Sequence, residues 1–117
     1  MNDEQLSLML RRFAIAAQAH QTALEDMDEE RANAHSRVIS GLYAAIIHVG
    51  DAGCQALLEL LDSENPVVAG MAAVFSLRYN PLRSIEVLRR LAEEEGLLGF
   101  RASIAVERWE RGEWDGP

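Results

Sequence analysis

Two stretches between Ala56 and Trp109 follow one pattern: a leucine-rich segment, an acidic turn, then a segment whose small residues recur every four positions. In the first, Ala56, Leu57, Leu58, Leu60 and Leu61 lead through Asp62 to Pro66 and on to Val68, Ala69, Ala73 and Leu77. In the second, Val87, Leu88 and Leu91 lead through Glu93 to Gly99 and on to Phe100, Arg101, Ala105 and Trp109. The steps from 68 to 69, 73 and 77 recur from 100 to 101, 105 and 109, the signature of paired helices stacked into an array. The fold class this predicts is all-α, an α-α superhelix of about six antiparallel helices. The same residues offer no catalytic constellation.

Composition agrees. A hydrophobic fraction of 49% with only 6% aromatics, and a single threonine (Thr22), favours close-packed helices over strands. A length of 117 residues suits one domain, residues 1–117, burying about two thirds of its unfolded surface. The formal charge of −8 argues against a nucleic-acid partner, because phosphate affinity rests on Lys and Arg. All eleven basic residues are arginine; genomic composition accounts for this more simply than selection for forked ion pairs. Cys54 has no second cysteine to pair with, and no charged start followed by an apolar core marks a secretion signal, so a cytoplasmic location is expected. The longest apolar run, Val67 to Phe75 with Gly70 included, falls well short of the ~20 residues that span a bilayer.

Periodicity and punctuation divide the chain into six helices. In the first, Leu6, Met9, Leu10, Phe13, Ala17, Leu24 and Met27 fall at three- and four-residue steps and predict an inward stripe, with Arg11, Arg12, Gln18 and Glu25 facing out. Asp28 reads as the N-cap of a second helix running to about Val49. Its apolar positions Val38, Ile39, Leu42, Tyr43, Ile46, Ile47 and Val49 cover most of its circumference and predict a central helix. Gly50 stops it, and Asp51 caps a third helix through Leu61. Asn65-Pro66 and Asn80-Pro81 read as N-cap and first helical position, which starts a fourth helix from Pro66 to Tyr79 and a fifth from Pro81 to Glu95. A sixth runs from Leu97 to Arg111 and Gly112 closes it. The expected organisation is therefore two long helices in 1–50, hairpins in 51–79 and 81–112, and a tail in 113–117.

Pro66, Val68, Ala72, Ala73 and Leu77 after an Asp-containing turn resemble the second helix of a HEAT repeat, and Gly99, Phe100, Arg101, Ala105 and Trp109 resemble the next one. The helical amino-terminal half, Asn33, the segment from Leu57 to Asp62 and the closing Trp109 to Gly112 are similar to a compact bacterial HEAT-like (armadillo-type) family known only as a domain of unknown function. Ala69 stands where a HEAT helix carries arginine after its valine, whereas Arg101 keeps it. The resemblance implies a superhelical binding surface, and for some members a role beside toxins as small immunity proteins. It implies no active site.

Residues that could carry chemistry read better as structure. His20, His35 and His48 lack metal-ligand spacing, so no metal and no cofactor are expected. His20 is in register with Phe13 and Ala17 as a core-edge residue. Cys54 shares a helical face with Leu57, Leu58 and Leu61 and reads as a small buried hydrophobe. An EF-hand loop opening at Asp26 fails, because Arg31 stands where glycine is needed and Arg37 where the bidentate glutamate belongs. No catalytic residue is assigned.

The surface is more informative. Asp26, Asp28, Glu29 and Glu30 form an acidic corner suited to steering a basic partner. Glu93, Glu94 and Glu95 end a helix whose dipole disfavours them there, a cost that pairing with Arg89 and Arg90 would offset. Trp114 either folds back on the last apolar face or stands free as an anchor; Tyr79 is a second aromatic anchor, and Arg101 completes the set. These residues predict a non-enzymatic protein-binding module of the immunity-protein type that occludes a basic toxin domain. A self-associating structural or adaptor subunit is the alternative, the chain being a monomer or weak homo-oligomer. A HEAT-like DNA glycosylase is the third reading, and the negative charge opposes it.

Overall fold

Helix starts are set by side chains that accept from the first free backbone N–H groups. In the computed structural model, which describes residues 2–117, Asn2 accepts from Gln5 N at 2.8 Å while Gln5 reaches back to Asn2 N, a reciprocal capping box that opens α1 (Asp3–Glu25). Asp28 accepts from Arg31 N at 3.1 Å and opens α2 (Glu29–His48). Asn65 accepts from Val67 N and Val68 N at the head of α4 (Pro66–Ser76), and Asn80 from Arg83 N at the head of α5 (Pro81–Ala92). Two helices start without a side-chain cap from a preceding Asn or Asp. α3 (Asp51–Glu59) uses the Gly50 carbonyl, which accepts from Cys54 N, so Asp51 is its first residue rather than its cap. α6 (Leu97–Glu110) follows Gly96. Among the described residues there are six α-helices and no strand. The protein is all-α, as expected.

Helix ends come earlier than periodicity implies. The third helix stops at Glu59 and tightens into a 3₁₀ turn, Leu60–Asp62; the fourth stops at Ser76 and the fifth at Ala92. Side chains share a helical face whether or not the last turn closes, so apolar spacing alone overruns the boundary. Contacts divide the chain into two compact units, Met1–Glu59 and Leu60–Pro117.

In the first unit α1 packs along α2. Leu6, Phe13 and His20 are buried at seven-residue steps on α1, as are Ala32, Ile39 and Ile46 on α2, the spacing of a narrow seam between two helices. That seam corrects two expectations. α2 is not central: Val38, Ala34 and Ala44 are exposed, and Leu42, Tyr43 and Ile47 are half-buried. A helix apolar around most of its circumference still buries only the strip that meets a neighbour. Met27 leaves the α1 stripe altogether. The helix ends in a Schellman turn, with Met27 N–H donating to Leu24 O and Asp28 N–H to Ala23 O. This puts Met27 at φ 57 and leaves it 92% exposed.

In the second unit α4 packs on the 3₁₀ turn, α5 and α6, and α5 on α6. The doubled sequence pattern is only half matched by burial. Gly70 and Ala73 are buried, as are their counterparts Ala102 and Ala105, but Val68 is 3% exposed where Phe100 is 62% exposed. Ala69 is buried where Arg101 is exposed. The small residues Gly99, Ala102 and Ala105 take the inner side of α6, and a helix turned by that stripe carries Phe100 to the opposite side. Trp109, in register with the buried Leu77, is half-buried.

Two corners depend on glycine. A Cβ on Gly53 would run into the Ile46 carbonyl oxygen, and one on Gly99 into that of Glu94. Gly53→Ala and Gly99→Ala should each lower stability by at least about 1–3 kcal/mol, the usual cost of overpacking. Gly41, inside α2 with open space around it, should gain about 0.5–1 kcal/mol on replacement by Ala. Urea unfolding of the three variants measures the contrast. Ser76 Oγ and Ser84 Oγ are buried without a hydrogen-bond partner among the described residues. Ser84→Ala should therefore be neutral or stabilising in the same assay, since no hydrogen bond is lost.

Candidate functional site

The nine residues singled out by sequence fall into both units. Asp26, Asp28, Glu29 and Glu30 belong to the first and sit at the α1–α2 corner. There Arg31 lies 3.5 Å from both the Asp26 and Asp28 carboxylates. One guanidinium thus bridges two acids, leaving Glu25, Glu29 and Glu30 to dominate the field around the exposed Met27.

The other five lie in the second unit at separate places. Tyr79 is exposed at the α4–α5 corner, whereas Glu93 and Glu94 stand at the far end of α5, a helix of twelve residues, about 18 Å away. The acidic turn is not held by its own helix as expected. Arg89 reaches across to Glu110 of α6 at 3.2 Å instead, because α5 ends at Ala92 and Glu93 to Glu95 fall in the turn beyond it. Arg83 makes a similar bridge to Asp62 at 3.0 Å.

Arg101 differs from these. Desolvation by the surrounding protein pushes its pKa below the usual arginine range, although the group stays cationic at any physiological pH. It pairs with no carboxylate among the described residues. It stands exposed on α6, next to Phe100 in the chain.

The structure also brings forward an apolar row that sequence alone did not single out. Leu97, Phe100 and Ile104 are exposed along the outer side of α6, followed one turn on by the Glu107–Arg111 ion pair at 2.7 Å. On α5, Leu82 is 82% exposed and joins Ile85, Glu86, Arg89, Arg90 and Glu93 in lining an open groove of about 430 Å³. The signal for this surface was present in the sequence. Gly99, Ala102 and Ala105 form a small-residue stripe fit for close packing, and large residues half a turn away cannot share it.

Other titratable residues do not assemble. His20 is buried on α1, His35 is half-buried, His48 is exposed and Cys54 is half-buried at the start of α3. Among the described residues no three His, Cys, Asp or Glu side chains are grouped as metal ligands would be. None of the described helices is long and apolar enough to cross a membrane. Compared with known proteins, the chain matches no protein-family model, no curated protein and no solved structure.

Met27 occupies a backbone region that favours glycine, and its side chain has little to pack against. Met27→Gly should raise stability by about 1 kcal/mol, the relief of a left-handed non-glycine residue. Thermal unfolding reads this as a Tm increase of several degrees.

Proposed function

We propose that the chain is a non-catalytic protein-binding module that occludes a basic partner, in the manner of an immunity protein covering a toxin domain. The observation that carries the reading is the outer side of α6, where Leu97, Phe100 and Ile104 face water in one stripe. Scattered apolar residues on a surface need no explanation, but a contiguous row on one helix marks a contact surface. Beside it stands the uncompensated Arg101, and the groove on α5 adds Leu82 and Ile85. Aromatic and arginine groups ringed by polar residues are the composition of interface centres.

The acidic corners supply the second element. Exposed carboxylates at Asp26 to Glu30 and at Glu93 to Glu95 act at range on a cationic partner, accelerating encounter more than they prolong the complex. The apolar row then sets the lifetime of the complex. The toxin as partner rests on the HEAT-like resemblance of the repeated residues. The basic character of the partner rests on the charge of −8.

Expression beside the product of an adjacent toxin-like reading frame tests this directly. A stable complex that abolishes the toxin's activity is expected. Phe100→Asp should shorten its lifetime at least about tenfold, while Glu29→Gln with Glu30→Gln should slow association several-fold at low salt and little at 0.5 M. Absence of both complex and inhibition would falsify the reading. The same exposed row supports a second reading, a subunit that associates with its own copies. Sedimentation over a concentration series separates the two, since only self-association makes the mass of the isolated chain rise with concentration and return to monomer in Phe100→Asp.

A further inference from the structure

Residues 113–117 follow α6 without helical structure, yet they are turned back onto it. Gly112 at φ 71 closes the helix with the paired bonds of a Schellman turn, its N–H donating to Trp109 O and Glu113 N–H to Arg108 O at 2.8 Å. A second glycine with positive φ, Gly116, lies near the other end of the segment. Three contacts converge on one side chain. The Arg108 guanidinium stands 5.9 Å from the centre of the Trp114 ring, donates to the Glu113 carbonyl at 3.3 Å and pairs with the Asp115 carboxylate. Trp114 is half-buried as a result.

The strength of this arrangement is limited by its exposure. The Arg108 side chain is 40% exposed and that of Asp115 78%. An exposed ion pair and an exposed cation–π contact each shift an equilibrium by only about two- to fivefold. Together they favour the docked segment by about tenfold, and ordering of the segment opposes them. The charged part is screened as ionic strength rises, because the Debye length falls from about 30 Å at 0.01 M to about 3 Å at 1 M.

We propose that residues 113–117 are a charge-operated latch on α6. Arg108 is its post. At low ionic strength the latch is closed, with Trp114 laid against the guanidinium. When salt screens Arg108 or a competing carboxylate takes it, the segment swings on Gly112 and exposes Trp114. The opening equilibrium is independent of the protein-binding reading, and only the use made of the released ring rests on that reading.

The test labels the full chain with 5-fluorotryptophan and follows its two ¹⁹F resonances from 10 mM to 1 M sodium chloride, with Trp114→Phe assigning them. The Trp114 signal should move toward that of free fluorotryptophan as salt rises, while the Trp109 signal holds. At 10 mM salt, Asp115→Asn should produce part of the same movement and Arg108→Gln nearly all of it, with Arg108→Lys between them. Far-UV circular dichroism should stay constant throughout. A Trp114 signal that keeps its position at 1 M salt overturns the latch. So does one that moves only when helicity is lost. The salt series on the unsubstituted chain decides the matter even if an Arg108 variant does not fold. Failure of the latch and failure of partner binding are separate results, because no partner is present in this experiment.

Discussion

Short reversals impose the main constraint on this chain. Its helices are joined by connections of two to four residues, apart from the 3₁₀ turn that extends the link between α3 and α4. Each reversal exposes backbone groups with no partner inside the helix. Asn2, Asp28, Asn65 and Asn80 supply acceptors for N–H groups at four starts. Schellman turns at Met27 and Gly112 supply donors for carbonyls at two ends. At the α2–α3 and α5–α6 corners the chain turns so tightly that the next helix lies against the carbonyl of the last one. Only a hydrogen fits at Gly53 and at Gly99. The helix pairs pack as they do because these corners hold them there, and the buried seams follow from the angles so fixed.

Features governed by neighbours in the chain were legible from sequence, and features governed by neighbours in space were not. A cap is a contact over two or three residues, so Asp28, Asn65 and Asn80 announced their helices. Burial is a property of the partner surface. Val68 and Phe100 hold equivalent places in a repeated pattern, yet α4 has neighbours on several sides and α6 on one. Seven of the eleven α4 residues are buried, whereas α6 buries only Gly99, Ala102 and Ala105. The same distinction explains α2, which buries only Ala32, Ile39 and Ile46 of its apolar circumference, and Arg89, which bonds across a hairpin rather than along its own helix. For the candidate site, the acidic corner and Trp114 were visible as composition. The outer row of α6 was not legible from its large apolar residues alone, because it depends on how that helix is rotated against its neighbours.

Arginine works as a connector here. Arg31 joins two acids at one corner, Arg83 ties the start of α5 to the 3₁₀ turn, Arg89 ties α5 to α6, and Arg108 gathers the segment beyond α6. Each is exposed and individually weak, but at Arg31 and Arg108 the planar fork makes two or three contacts from one side chain, which an ammonium does with less geometric definition. The carboxylates left over collect at corners rather than along faces. At the α1–α2 reversal Arg31 offsets part of that charge, and Glu25, Glu29 and Glu30 make no ion pair there among the described residues.

α5 and α6 present different surfaces to water. α5, with the exposed Leu82 near its start, places Glu86, Arg89 and Arg90 on its outer side. α6 places Leu97, Phe100 and Ile104 there while burying only small residues. Phe100 is 62% exposed, so most of its ring is left facing water. Covering it would release about 1.5–3 kcal/mol, the usual gain from burying one large apolar side chain. Three such residues in a row, beside a guanidinium without a counter-charge, form a surface whose free energy falls on being covered by something apolar and acidic at its edge. Corners that attract cations and a helix face that sheds water act at different ranges, the first during approach and the second after contact.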